Sequence, residues 1–218
     1  MLEGSFYCEL SVKRKVIVVD YDMGNLWSVG SALRYLGAPC DFSNDPREIE
    51  RAEVLLLPGV GSFRKAMHVL NCTGIADAIR EAVAIRQSKI LGICLGMQLF
   101  ADSSTEDGFS SGLGLIPGRI ERFSAANLDG LKVPHIGFNW VRTINDSMLF
   151  EGLKGGGDFY FVHSYRLKYE AQAGCAGVCQ HGEEFVAAYV KENVYATQFH
   201  PEKSQTNGLR VLTNFLSA

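Results

Sequence analysis

The run Val16-Ile17-Val18-Val19-Asp20 limits the possible folds more than any other stretch of the chain. Its apolar residues are consecutive and β-branched, with no polar residue between them. A strand of this kind has no face to give to water and belongs in a parallel sheet covered on both sides. The next segment agrees: after Met23-Gly24-Asn25, apolar residues at Leu26, Val29, Leu33 and Leu36 recur at helical spacing, and Gly37 stops the helix. The alternation then repeats, with strands predicted at residues 39–42, 53–57 and 89–93 and helices at 26–36, 64–70 and 75–86. Beyond residue 112 the segments shorten and glycine becomes frequent. Residues 119–123, 159–169 and 185–189 read as antiparallel strands. A last apolar strand at 194–198 leads to His200, and a helix at 208–216 closes the chain. The expected architecture is α/β, a doubly wound mixed sheet that is largely parallel in its first half.

With 218 residues, the chain is long enough for one domain and short for two. That domain is expected to span residues 15–218, with residues 1–14 as an N-terminal extension. Acids and bases are interspersed around a net charge of -3, so no basic face for nucleic acid is expected. No apolar run approaches the roughly 20 residues of a membrane span. The opening MLEGSFYCELSVKRK lacks the basic-then-apolar order of a secretory signal. Six cysteines without an export signal point to a reducing, cytoplasmic setting. Cys175 and Cys179, with His181 nearby, invite a metal reading, but a tetrahedral site needs further ligands and no second pair is visible. Neither metal nor cofactor is expected.

Ligands of an open parallel sheet bind beyond the carboxyl ends of its strands. Three such ends here carry unusual residues. Gly92-Ile93-Cys94-Leu95-Gly96 is a cysteine form of the nucleophile elbow, a sharp strand-to-helix turn that lifts the nucleophile clear of the sheet. The helix starting at Leu95 aims its free N–H groups and positive end at the sulfur, the setting of a thiolate nucleophile. His200-Pro201-Glu202 supplies a histidine able to take a proton and return it to a leaving group, with a carboxylate two residues on to hold its ring. Pro58-Gly59-Val60-Gly61 is flexible enough to present the Val60 N–H to an oxyanion, beside the N–H of Leu95.

These segments, with Met97-Gln98 after the elbow, resemble the paired signatures of the class I (triad) glutamine amidotransferases. More narrowly, the chain from about Lys15 onward resembles the glutaminase subunits of imidazole glycerol phosphate synthases. Residues 20–26, 134–137, 159–165 and 198–204, including Lys203 after the triad glutamate, carry the narrow likeness. The resemblance implies a class I amidotransferase (flavodoxin-like) fold and a Cys94-His200-Glu202 triad that hydrolyses L-glutamine through a glutamyl thioester. It implies oxyanion amides at Val60 and Leu95, set by Gly59 and Gly61, and glutamine binding by Gln98 with the backbone around Ser164 and Tyr165. It also implies a heterodimer with a (β/α)8 cyclase, which uses the shielded ammonia to make imidazole glycerol phosphate and AICAR in histidine biosynthesis. Asn25, His135, Tyr160 and Lys203 are expected on the face toward that cyclase.

Phe138, where the family often has tryptophan, and Ser62-Phe63-Arg64 depart from the pattern near that face. They leave open a paralogous role, supplying ammonia to a sugar amidotransferase that modifies bacterial surface sugars. An inactive scaffold is disfavoured by the intact triad. A cysteine hydrolase of peptides would share the nucleophile but give no reason for Tyr160 and Lys203.

Overall fold

The computed structural model describes residues 14–128, 130–170 and 173–218. The expected extension lies outside the described residues except for Arg14, which pairs with Glu53 across 3.3 Å in solvent. The first half runs β1 (Val16–Val19), α1 (Leu26–Tyr35), β2 (Cys40–Ser43), α2 (Pro46–Arg51), β3 (Val54–Gly59), α3 (Phe63–Cys72), α4 (Ile75–Ala84), β4 (Lys89–Cys94) and α5 (Leu95–Leu99). The second half adds β5 (Ala101–Ser104), β6 (Ser110–Ser111), β7 (Ile116–Arg122), β8 (His135–Thr143), β9 (Gly156–His163), β10 (Tyr165–Leu167), β11 (Cys175–His181), β12 (Glu183–Lys191), β13 (Val194–Thr197) and α6 (Gln205–Ser217). Helix α2 is not legible from periodicity because six residues are too few to show a period. Its signal is a cap: the Asp45 carboxylate accepts the Arg47 N–H at 2.9 Å, with Pro46 opening the helix.

Nine strands form one sheet in the order β2-β1-β3-β4-β13-β12-β11-β8-β9. The strands from β2 to β13 are parallel, and the rest continue antiparallel. Alternate residues of β3 reach opposite cores, as strand geometry requires. Leu55 and Leu57 pack with Phe63, Met67 and Ile79 of α3 and α4, while Leu56 packs with Leu33 of α1 and Phe215 of α6. Both faces are covered, which accounts for the continuous apolar runs. Among the described residues, no helix is long and apolar enough to cross a membrane.

One expectation needs correction. Residues 159–169 are not one strand: the chain breaks at Ser164, leaving β9 at the edge of the large sheet and β10 in a second sheet of order β10-β7-β5-β6. In that smaller sheet β7 lies antiparallel to β10 but parallel to β5. The i, i+4 spacing of Cys175 and Cys179 would place both thiols on one face of a regular strand. Register shifts around Gly177 send them instead into opposite cores. Burial pushes the thiols up to about 11 and about 12, and His181 donates from Nε2 to the Lys132 carbonyl at 2.9 Å. Among the described residues, no group of three or more His, Cys, Asp or Glu is placed to hold a metal.

The antiparallel half encloses a histidine cluster. His135 is only 4 % exposed, stacked between Phe161 and His181, and its Nδ1 meets His163 Nε2 at 3.1 Å. Its side chain thus does not reach the surface expected to face a partner, because β8 turns it into the core. Burial, then the neighbouring His181, pushes His135 down to about 4. Burial pushes His163 down to about 3 against the opposing pull of the Tyr165 carbonyl.

Helix α5 follows β4 with no loop between them, and it can do so only because Gly96 has no side chain. A Cβ at Gly96 would lie 1.8 Å from the Leu57 carbonyl oxygen of β3. Gly96→Ala should therefore cost about 3 kcal/mol, read as a lower urea midpoint; an unchanged midpoint would refute the contact. The histidines set an acid limit. In the unfolded chain both protonate near pH 6.5, so the folded state holds fewer protons between that value and its own lower ones. Their contribution is full above about pH 6.5 and is lost as pH falls toward 4 for His135 and toward 3 for His163, at up to about 1.4 kcal/mol per pH unit for each ring. The melting temperature should follow, and His135→Gln should flatten the acid fall; an identical fall in that variant would assign it to other groups.

Candidate active site

The carboxyl ends of β3, β4 and β13 meet at one place. Gly59 pairs with Cys94 across β3 and β4, and the chain beyond β13 brings Gln198 and His200 alongside. Cys94 has φ 54° and ψ −107°, a backbone region costing a non-glycine residue on the order of 1–3 kcal/mol. This is the expected elbow. The sulfur is nearly buried, with the residue 6 % exposed. Its Sγ lies 3.9 Å from the Val162 carbonyl and 3.7 Å from the Gln198 side-chain nitrogen.

His200 is held from one side. Its Nδ1 lies 2.8 Å from Glu202 Oε1, with both side chains almost fully buried. A carboxylate accepts, so Nδ1 carries the hydrogen and Nε2 is left for other work. Nε2 and Glu202 Oε2 are buried with no hydrogen-bond partner among the described residues. Burial opposes a charge on this ring, yet the Cys94 sulfur and then Glu202 outweigh it and push His200 up to about 10. Since Nε2 makes no hydrogen bond, the sulfur acts on it through space. The site therefore favours an imidazolium at neutral pH.

A cavity of about 330 Å³ opens beside the sulfur, a size suited to an amino acid. Val60, Leu95, Gln98, Ser164 and Tyr165 all line it. The Leu95 N–H opens α5 and has no intrahelical acceptor. The Val60 N–H is engaged elsewhere: it donates to the Met23 carbonyl at 3.0 Å, so it is not aimed at an oxyanion. Gly61, at φ 104°, holds the loop in this form. The Tyr165 carbonyl is also occupied, accepting Gln98 Nε2 at 2.9 Å and His163 Nδ1 at 2.8 Å.

Sequence reasoning missed Glu106, a further lining residue, whose carboxylate accepts the Phe63 N–H at 2.7 Å. It missed Tyr21, whose buried hydroxyl has no partner among the described residues and would meet a Cβ at Gly59 within 2.3 Å. The departure at Ser62-Phe63-Arg64 has a local explanation, because Ser62 and Arg64 both bind Asp107 and so fix the loop carrying Glu106. On the outer face, Lys203 Nζ lies 5.9 Å over the Tyr160 ring, and Phe138 meets Tyr160 edge-on at 5.6 Å. Asn25 caps α1, its side chain accepting the Ser28 N–H at 3.4 Å. Of the four residues expected to face a partner, Tyr160 and Lys203 touch, Asn25 sits at the start of a helix packed on the 201–203 turn, and His135 is interior.

Known proteins resemble this chain in sequence and in fold. Residues 17–218 match the glutamine amidotransferase class-I family. The imidazole glycerol phosphate synthase subunit HisH of Moorella thermoacetica is 46% identical over 202 residues, covering 93% of this chain and 94% of that protein. Subunit HisH 1 of Campylobacter jejuni (strain 81-176) is 43% identical over 200 residues, covering 92% and 98%. Among solved structures, PurLQS from Thermotoga maritima aligns with a TM-score of 0.72 at 19% identity, over 94% of this chain and 98% of that one. A crystal structure of another glutamine amidotransferase aligns at 0.70 and 21%, over 92% and 97%. At such identities these two speak for the fold alone. The family match and the HisH identities go further: the chain belongs to the class-I glutamine amidotransferases.

Proposed function

We propose that this enzyme hydrolyses L-glutamine with Cys94, His200 and Glu202, and passes the ammonia to a (β/α)8 cyclase that makes imidazole glycerol phosphate and AICAR in histidine biosynthesis. The observation that carries the reading is a strained Cys94 that lines an amino-acid-sized cavity, with a buried His200–Glu202 couple whose ring is raised in pKa by the Cys94 sulfur. The sulfur attacks the carboxamide carbon, and the former carbonyl oxygen takes up negative charge. His200 delivers its proton to the departing ammonia, then takes one from the water that releases glutamate. Glu202 keeps the ring in position throughout. Residues 15–218 act as the single catalytic domain of a cytoplasmic heterodimer, with residues 1–14 an extension that supplies no catalytic group. Identity to HisH subunits supports the pathway and the cyclase partner.

Exposed Ile136, Phe138 and Trp140 alternate along β8 on the same side as Tyr160 and Lys203. This apolar strip with a cation at its end is the surface we assign to the cyclase, and ammonia leaves the sulfur toward it. Docking there has a task to perform, since the Val60 N–H must leave the Met23 carbonyl before it can serve an oxyanion. One missing oxyanion donor slows acyl transfer by about 10²–10³.

Cys94→Ala should abolish glutamate release while leaving cyclase synthesis from added ammonium salts intact; release at the parental rate would remove Cys94 from its role. Adding ligand-loaded cyclase should raise the glutaminase rate by about 10²–10³. Lys203→Ala should cut that stimulated rate about tenfold while the basal rate changes far less. Equal loss in both rates, or no stimulation of the parent, would count against partner gating through this face.

A further inference from the structure

The Tyr165 carbonyl dictates the direction of every hydrogen bond leading from it to the nucleophile. It accepts His163 Nδ1 at 2.8 Å and Gln98 Nε2 at 2.9 Å, and a carbonyl can only accept. The Gln98 amide is thereby fixed with its nitrogen inward. The other hydrogen on that nitrogen goes to Gln198 Oε1 at 3.0 Å. With its oxygen so engaged, Gln198 turns its own amide nitrogen to Cys94, 3.7 Å from Sγ. The two ends of an amide are ordinarily hard to tell apart. Here a chain of acceptors leaves one orientation.

Gln198 is wholly buried, and its backbone N–H is tied to the Ala187 carbonyl at 2.9 Å. It does not line the cavity, so substrate binding is not its task. We propose that Gln198 is a positioning residue that holds the Cys94 sulfur by an N–H···S bond and favours its anionic form. The proposal rests on Cys94 being the nucleophile. The sulfur stands between an acceptor and a donor. The Val162 carbonyl, at 3.9 Å, suits a thiol hydrogen, whereas the Gln198 N–H suits a thiolate. The donor is also placed for the second half of the reaction. When water adds to the glutamyl thioester its proton goes to His200, the C–S bond breaks, and the bonding pair returns to sulfur, where Gln198 already points. Other titratable groups around the sulfur are Tyr21, His163, Glu106, and His200 backed by Glu202; none of them hydrogen-bonds Sγ among the described residues.

The test is the pH dependence of Cys94 alkylation by iodoacetamide, with modification mapped to residue 94 so that Cys40 and Cys72 do not count. Gln198→Met should slow alkylation about tenfold at neutral pH and move the midpoint of the profile to higher pH. Its kcat should fall with little change in KM for glutamine. Gln198→Glu keeps the acceptor for Gln98 but sets a carboxylate against the sulfur, and should move the midpoint further. Parental profiles in both folded variants would overturn the proposal and leave the nucleophile reading standing. A Cys94 in the unaltered enzyme that resists alkylation wherever Cys72 reacts would overturn both. Should neither variant fold, the unaltered enzyme decides: the Gln198 side-chain amide proton resonances must shift when Cys94 is alkylated, and unmoved resonances would overturn the proposal.

Discussion

Gly96 sits against the Leu57 carbonyl with no room for a side chain, and that approach sets the depth at which α5 starts. A larger residue would push the helix off β3. The turn at Cys94 would then relax toward an ordinary dihedral, and the Leu95 N–H would move away from the sulfur. The strained Cys94 backbone therefore persists only because β3, β4 and α5 over-determine it. The parallel half of the sheet supplies this rigidity, being buried on both faces by helices on either side.

The antiparallel half contributes polar backbone instead. Where the chain leaves β9 for β10 it cannot continue the ladder of the large sheet, and the Tyr165 carbonyl turns inward. An unmet carbonyl at that depth would cost on the order of 1–3 kcal/mol. It is met twice, by a histidine and a glutamine, and the glutamine chain ends at the nucleophile. Backbone irregularity and site chemistry are thus one feature: the break in the strand creates the acceptor around which the side chains are ordered.

How much of this the sequence discloses depends on the range of the interaction concerned. The elbow at Cys94 and the His200–Glu202 pair are legible because each is local, a turn of five residues and a pair two residues apart. The parallel strands are legible because double burial removes polar residues from a continuous run. The split at Ser164 is not, since residues 159–169 read as one aromatic-rich, strand-forming stretch and only pairing with β7 separates β10 from β9. Which core each of Cys175 and Cys179 enters is not legible either, because the irregularity at Gly177 depends on which strands lie beside it. His135 is expected outside and lies inside, for its company of Phe161, His163 and His181 comes from other strands of the sheet. Gln198 belongs to the 198–204 segment, yet nothing local discloses a role for it; its meaning lies in residues 100 and 104 positions away.

The hydrogen bond between Val60 and Met23 also bears on how a cell spends its nitrogen. On the proposed reading, a copy of this chain without its partner meets glutamine continually and has nowhere useful to send ammonia. A single backbone bond withholds one donor from the reaction while leaving the cavity open to the amino acid. Surplus copies are then quiet rather than wasteful, and the two genes need not be expressed in strict proportion. The cost of imbalance falls on protein synthesis alone, not on the glutamine pool.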